Sequence, residues 1–158
     1  EIKDQCIIIN GFSKAFAMTG WRLGYVLSNP ILSKAMTKIH QYIIMSAPSA
    51  AQYGALEGLK RCDSEVEEMR DSYRARRNFL VKAFNDMGLK TFKPQGAFYV
   101  FPKVERPHDF VKAAADAGVI AVLGEAFGSL GKENVRMSYA TSYENIEKAM
   151  DILDGLEY

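Results

Sequence analysis

Two side chains in the first quarter of the sequence could do covalent and ionic chemistry together. Lys14 sits in the run Gly11-Phe-Ser-Lys-Ala-Phe-Ala-Met-Thr-Gly-Trp-Arg-Leu-Gly24, with Arg22 eight positions later, and the apolar segment Cys6-Ile-Ile-Ile9 comes just before it. A lysine amine with an ordinary pKa of ~10.4 is mostly protonated at neutral pH and a poor nucleophile. Carbonyl chemistry through it needs a lowered pKa or a Schiff base formed in advance. A third residue, Arg136, lies in the alternating segment Asn134-Val-Arg-Met-Ser-Tyr-Ala140. Its planar guanidinium offers a two-pronged donor to a carboxylate, a geometry that lysine cannot reproduce. Taken singly, a lysine after a strand is ordinarily a solvated loop residue and an arginine ordinarily an ion-pair partner. The dense fourteen-residue pattern, not any one residue, carries the functional reading.

The elements that must hold these groups follow from periodicity. Residues 5 to 9 and 22 to 27 are short apolar runs bounded by turn residues, read as strands, the first of them buried. Asn29-Pro30 stops the second strand, and apolar residues at 32, 35, 36, 39 and 43 predict a helix that ends before Ser46-Ala-Pro48. A small-residue helix is expected over about 50 to 59, able to pack closely. Residues 64 to 87 predict a long helix with Gly88 as its stop. Its arginines 70, 74, 76 and 77 are interleaved with acids, which reads as a solvated, salt-bridged face. Strands are expected over 97 to 101, 119 to 123 and 134 to 140, and a helix over 107 to 118. In the last strand Val135, Met137 and Tyr139 share one face, and Arg136 and Ser138 the other. Thr141 with Glu144 reads as a capping box for a final helix buried through Ile146, Ala149, Met150 and Leu153. The glycine-punctuated stretch Gly124 to Gly131 lacks the following helix and lysine of a phosphate-binding P-loop, and gets no specific role from sequence.

Composition bounds the alternatives. The 158 residues are 48% hydrophobic with a net charge of +1, so nothing favours nucleic acid or an anionic membrane as partner. No apolar stretch reaches the ~20 residues of a membrane span, and a cytoplasmic location is the expectation. Cys6 and Cys62 are far apart, as are His40 and His108, so neither a disulfide framework nor a metal site is expected.

The stretch from Gly11 to Gly24 resembles the lysine-attachment signature of class I and II aminotransferases, the fold-type-I enzymes that use pyridoxal 5′-phosphate. The resemblance extends over essentially the whole chain and aligns it with the C-terminal portion of an aspartate aminotransferase-like enzyme. It implies an α/β fold. Residues 1–62 would close the large pyridoxal-phosphate-binding domain and 63–158 would form the small C-terminal domain. It further implies that Lys14 is the catalytic lysine joined to the cofactor, that Arg22 and less directly Ser13 bind the cofactor phosphate, and that Arg136 binds the substrate α-carboxylate. The reaction would be transamination between an L-amino acid and a 2-oxo acid by a homodimer. The 158 residues alone would be inert for want of upstream groups. Many relatives carry serine at position 11, where glycine here removes one hydroxyl. No arginine lies between Arg22 and Arg61, so a dicarboxylate preference has no support from that stretch, and aspartate, alanine and aromatic amino acids stay open. Two other readings share the scaffold: a pyridoxal-phosphate-dependent β-lyase, and an aminotransferase-like sensor domain of a regulator.

Overall fold

A computed structural model describes residues 2–158. The chain divides into two compact units, Glu1–Glu68 and Met69–Tyr158, with the division falling inside a long helix.

In the first unit, strand β1 (Ile8–Gly11) pairs antiparallel with β2 (Gly24–Leu27) in the register Ile8↔Leu27 to Gly11↔Gly24. Helix α1 spans Pro30–Ile43: the Asn29 side chain accepts from the Leu32 amide at 2.9 Å, and proline at the first turn sacrifices no helical hydrogen bond. Helix α2 spans Ser49–Arg61, with Ala51, Ala55 and Gly58 on its buried side. The sequence predicts a buried first strand, and the structure corrects this. Ile8 and Ile9 are 55% and 78% exposed, because β1 has one neighbour strand and no layer covers either face among the described residues of this unit. α1 buries no residue at all. The unit's buried cluster consists of Phe12, Met18 and Ala55, with Phe16 and Leu23 packed against it.

Helix α3 (Asp63–Asp86) continues into the second unit and stops at Gly88, whose φ of +81° favours glycine. The amides of Gly88 and Leu89 close the end on the carbonyls of Asn85 and Phe84, at 3.0 and 2.9 Å. The arginine face is largely solvated as expected, with Arg74 on Asp71 at 2.7 Å. Arg77 departs from it by donating to the Pro94 carbonyl at 3.2 Å.

The second unit's sheet has the order β3 (Tyr99–Val100), β5 (Val135–Ser138), β4 (Val122–Leu123), antiparallel throughout. The outer strands are shorter than their apolar runs. Pro102 has no amide hydrogen for the ladder, and Val119 is spent on closing helix α4 (Pro107–Asp116), its amide bonding to the Ala114 carbonyl at 2.8 Å. Val135, Met137 and Tyr139 are buried, Arg136 is half-buried and Ser138 exposed, the alternation the sequence predicts. Helix α5 (Tyr143–Asp154) buries Ile146, Met150 and Leu153. Its cap is Ser142, which accepts from the Asn145 amide at 3.2 Å, and not Thr141 with Glu144. Thr141 instead takes a bond from the Asn145 side chain. Leu80 and Phe84 of α3, Phe110 and Ala114 of α4, the inner face of β5 and the stripe of α5 make one continuous core.

Candidate active site

Gly11 and Gly24 face each other at the end of the β1–β2 ladder, so residues 12 to 23 form a loop closed at its base. The closure is tight: a Cβ on Gly24 would lie 2.9 Å from the Asn10 carbonyl oxygen. Inside the loop, Phe12 N–H donates to Leu23 O at 3.2 Å, and Phe12 O accepts from both Phe16 and Met18. Ala17 N–H donates to Lys14 O at 3.2 Å. These bonds fix the backbone on either side of Lys14, whose side chain is exposed, while Ser13 beside it is half-buried.

Arg22 ends a 3-10 turn, Thr19–Trp21, in the left-handed region, at φ 53° and ψ 47°. A residue with a side chain held there is strained by roughly 1–3 kcal/mol, a cost found where surrounding structure fixes a functional group. One guanidinium nitrogen, Nη1, donates to Thr19 O at 3.0 Å. The neighbouring Trp21 seats its ring on α2. A Cβ on Gly54 would meet that ring at 2.6 Å, and one on Gly58 would meet the Phe16 ring at 3.3 Å. The small residues of α2 are therefore the seats for two aromatic side chains of the lysine loop. Sequence alone gives the closeness of packing but not these partners.

Ser13, Lys14 and Arg22 thus share one hydrogen-bonded loop. Arg136 belongs to the second unit, on the outer face of β5. There its Cζ lies 4.4 Å from the ring centroid of Tyr99 and 4.0 Å from that of Phe127. Tyr99 pairs with Ser138 across the ladder, so it is the diagonal neighbour of Arg136 on the same face. Neither aromatic was singled out by sequence reasoning. The alternating strand pattern could have found Tyr99, whereas nothing in the spacing marks Phe127. A cavity of about 420 Å³ lined by Leu80, Val119, Ile120, Met137, Ile146 and Met150, among others, includes none of the four named residues.

Among the described residues, no cluster of His, Cys, Asp or Glu could hold a metal ion, and no helix is long and apolar enough to cross a membrane. What the lysine loop does offer is an amine, a hydroxyl and a guanidinium. That donor set suits an aldehyde that also carries a phosphate.

The chain matches the family of class I and II aminotransferases over residues 1–153, and it belongs to that family. An aspartate aminotransferase of Pyrococcus abyssi is 42% identical over 158 residues, covering 96% of this chain and 41% of that protein. An aromatic-amino-acid aminotransferase of Thermococcus litoralis shows the same 42% over 158 residues, 96% of this chain and 41% of its own. Among solved structures, an aromatic aminotransferase of Pyrococcus horikoshii superposes with a TM-score of 0.89 at 42% identity, over 96% of this chain and 42% of that one. The fold is accordingly the α/β fold of fold-type-I aminotransferases. The chain spans about two fifths of the length of the curated relatives it matches.

Proposed function

We propose that the whole protein is a pyridoxal-phosphate-dependent aminotransferase that exchanges an amino group between an L-amino acid and a 2-oxo acid. The observation that carries this reading is the closed loop from Gly11 to Gly24, which presents Lys14 on a bonded turn and Arg22 at its strained exit. Family membership and the named activities of the relatives support it.

In this reading Lys14 holds the cofactor covalently through Nζ, and Arg22, with Ser13, holds its phosphate. When bound, pyridoxal phosphate supplies an electron sink for the bonds at the substrate Cα. With the cofactor bound, Lys14 Nζ would take up the Cα proton as general base and later give it back as general acid. Arg136 holds the α-carboxylate in its guanidinium plane and so orients the Cα hydrogen, a positioning effect worth several orders of magnitude in effective concentration. Arg22, by holding the phosphate, would resist loss of the cofactor when Lys14 does not tether it.

Residues 1–62 then belong to the cofactor-binding domain and 63–158 to the small domain. A cytoplasmic homodimer is part of the same proposal. The exposed Ile39, Tyr42 and Ile43 of α1 and Tyr53 of α2 support burial of this surface in an assembly. Borohydride reduction of the full-length protein, followed by peptide mass mapping, tests the reading. A pyridoxyl group on Lys14 is the expected product, and an unlabelled Lys14 in a protein that transaminates would overturn it.

A further inference from the structure

The glycine-rich stretch after β4 has no part in the reaction just described, yet it is built to tight tolerances. Gly124 opens a 3-10 turn, Gly124–Phe127, and Gly131 ends another, Ser129–Gly131; both glycines are buried. A Cβ on Gly124 would stand 2.4 Å from Gly131 O and 2.6 Å from Asn134 O, and a Cβ on Gly131 would stand 2.3 Å from Gly124 O. Gly124 N–H donates to Asn134 O at 2.8 Å, and Asn134 N–H to Gly131 O at 2.9 Å. The loop is thereby fastened to the start of β5, two residues before Arg136. The Asn134 side chain adds a bond to Phe101 O at 3.0 Å.

The product of this fastening is the placement of Phe127. The residue is 51% exposed, so burial does not explain its position, but its ring face meets the Arg136 guanidinium at 4.0 Å. Tyr99 presents a second ring at 4.4 Å. Arg136 is half-buried and makes no ion pair among the described residues. Aromatic faces attract a guanidinium through its flat side. They leave the in-plane N–H edge, the one that matches a carboxylate, for a ligand.

We propose that Phe127 and Tyr99 are positioning residues for Arg136, and that the Gly124–Gly131 loop serves to hold Phe127 in that place. The inference rests on the reading of Arg136 as the α-carboxylate binder. The rings set the plane of the guanidinium before substrate arrives and screen it from water, which strengthens its attraction for a monoanionic carboxylate.

The test uses the full-length holoprotein with L-aspartate, L-alanine and L-phenylalanine as amino donors. Phe127→Leu keeps the apolar bulk and removes the ring. It is expected to raise KM for the preferred donor about five-fold while kcat stays within about two-fold, and Phe127→Tyr restores KM. The 2-methyl derivative of the preferred donor has no Cα hydrogen and binds without turnover. Its Kd, measured by calorimetry, should rise by the same factor in Phe127→Leu, whereas the Kd of the corresponding amine lacking the carboxylate stays unchanged. Equal weakening of both ligands, or no change in either, overturns the proposal. Arg136→Lys separates the two levels of inference, with an expected KM increase of roughly ten-fold or more. An Arg136→Lys variant with unaltered KM removes the carboxylate reading itself; one that weakens binding beside a silent Phe127→Leu removes the role of the ring alone.

Discussion

The two halves of this chain position their candidate functional side chains by different means. In the second unit, Arg136 stands on a strand whose inner face is locked into a continuous core running from Leu80 to Leu153. In the first unit, Lys14 and Arg22 stand on a loop whose buried support is little more than Phe12, Met18 and Ala55. Backbone hydrogen bonds and close-packed glycines do there what side-chain packing does in the other half. The lesson is that a lysine can be held with local precision in a region that has little apolar core of its own.

The largest expected effect tests whether the loop carries the chemistry. On the proposed mechanism, in which the lysine serves as both base and acid, Lys14→Ala in the full-length protein should lower the rate of transamination by about 10⁴-fold. In the 158-residue chain without cofactor the same substitution should shift the denaturation midpoint little, because the side chain is exposed. Steady-state assay alongside urea unfolding reads both. A variant that keeps a tenth of the rate would place the chemistry elsewhere.

Next in size is the contrast in stability between the halves. Phe110 is fully buried in the second unit, and Phe110→Ala should cost about 3–5 kcal/mol. Ile9 is 78% exposed in the first unit, and Ile9→Ala in the 158-residue chain should fall within about 0.5 kcal/mol of the parent. Repeating Ile9→Ala in the full-length protein sharpens the comparison. If the length seen in relatives covers β1, the cost rises to about 2–5 kcal/mol. Equal costs for Phe110→Ala and Ile9→Ala in the short chain would erase the distinction between a packed and a locally bonded half.

This contrast also explains which parts of the structure were legible in the sequence. Helices with complete signals came through: Asn29-Pro30 opens α1, Gly88 closes α3, and the alternation around Arg136 gave the two faces of β5. The Lys14 and Arg22 loop was legible because its residue types are constrained at many positions together. What periodicity could not give is the covering of each face. A run of isoleucines reads as a buried strand whether or not anything lies over it, and β1 is exposed here. Nor could it choose between adjacent caps, since Thr141 and Ser142 both fit the start of α5 and only the backbone geometry selects Ser142. Contacts between elements, such as Trp21 on Gly54 or Phe127 on Arg136, have no signature in spacing at all.

The seat of Trp21 gives the next prediction. Gly54→Ala puts a methyl group 2.6 Å from the indole, so the ring must move or the helix must shift. Overpacking of this kind costs about 1–3 kcal/mol. Because Trp21 adjoins Arg22, a displaced ring should also weaken retention of the proposed cofactor in the full-length protein. Trp21 is the single tryptophan of these 158 residues, so in this chain its emission reports the displacement directly. Unchanged emission with unchanged stability would show that α2 does not position the loop, and the first unit would lose one of its two supports.

The smallest effect concerns the packed half and its response to alkali. Tyr139 is buried, and its hydroxyl donates to Ala97 O at 2.9 Å. Burial pushes the phenol above its ordinary pKa and Tyr73 adds to this, while Arg77 opposes it. A group whose folded pKa is raised contributes stability that is complete below its unfolded value, about 10 for tyrosine, and is lost as pH rises through the folded value. Tyr139→Phe should therefore cost about 1 kcal/mol near neutral pH through the lost hydrogen bond. The gap from the parent should narrow as pH climbs past 10, because the variant has no phenol to ionise at this position. Urea unfolding at pH 8 and at pH 10.5 measures both values. A gap of constant size would mean that Tyr139 is no more reluctant to ionise in the folded protein than in the unfolded chain. The core beneath Arg136 would then be wetter than its packing implies, and the difference between the two halves smaller.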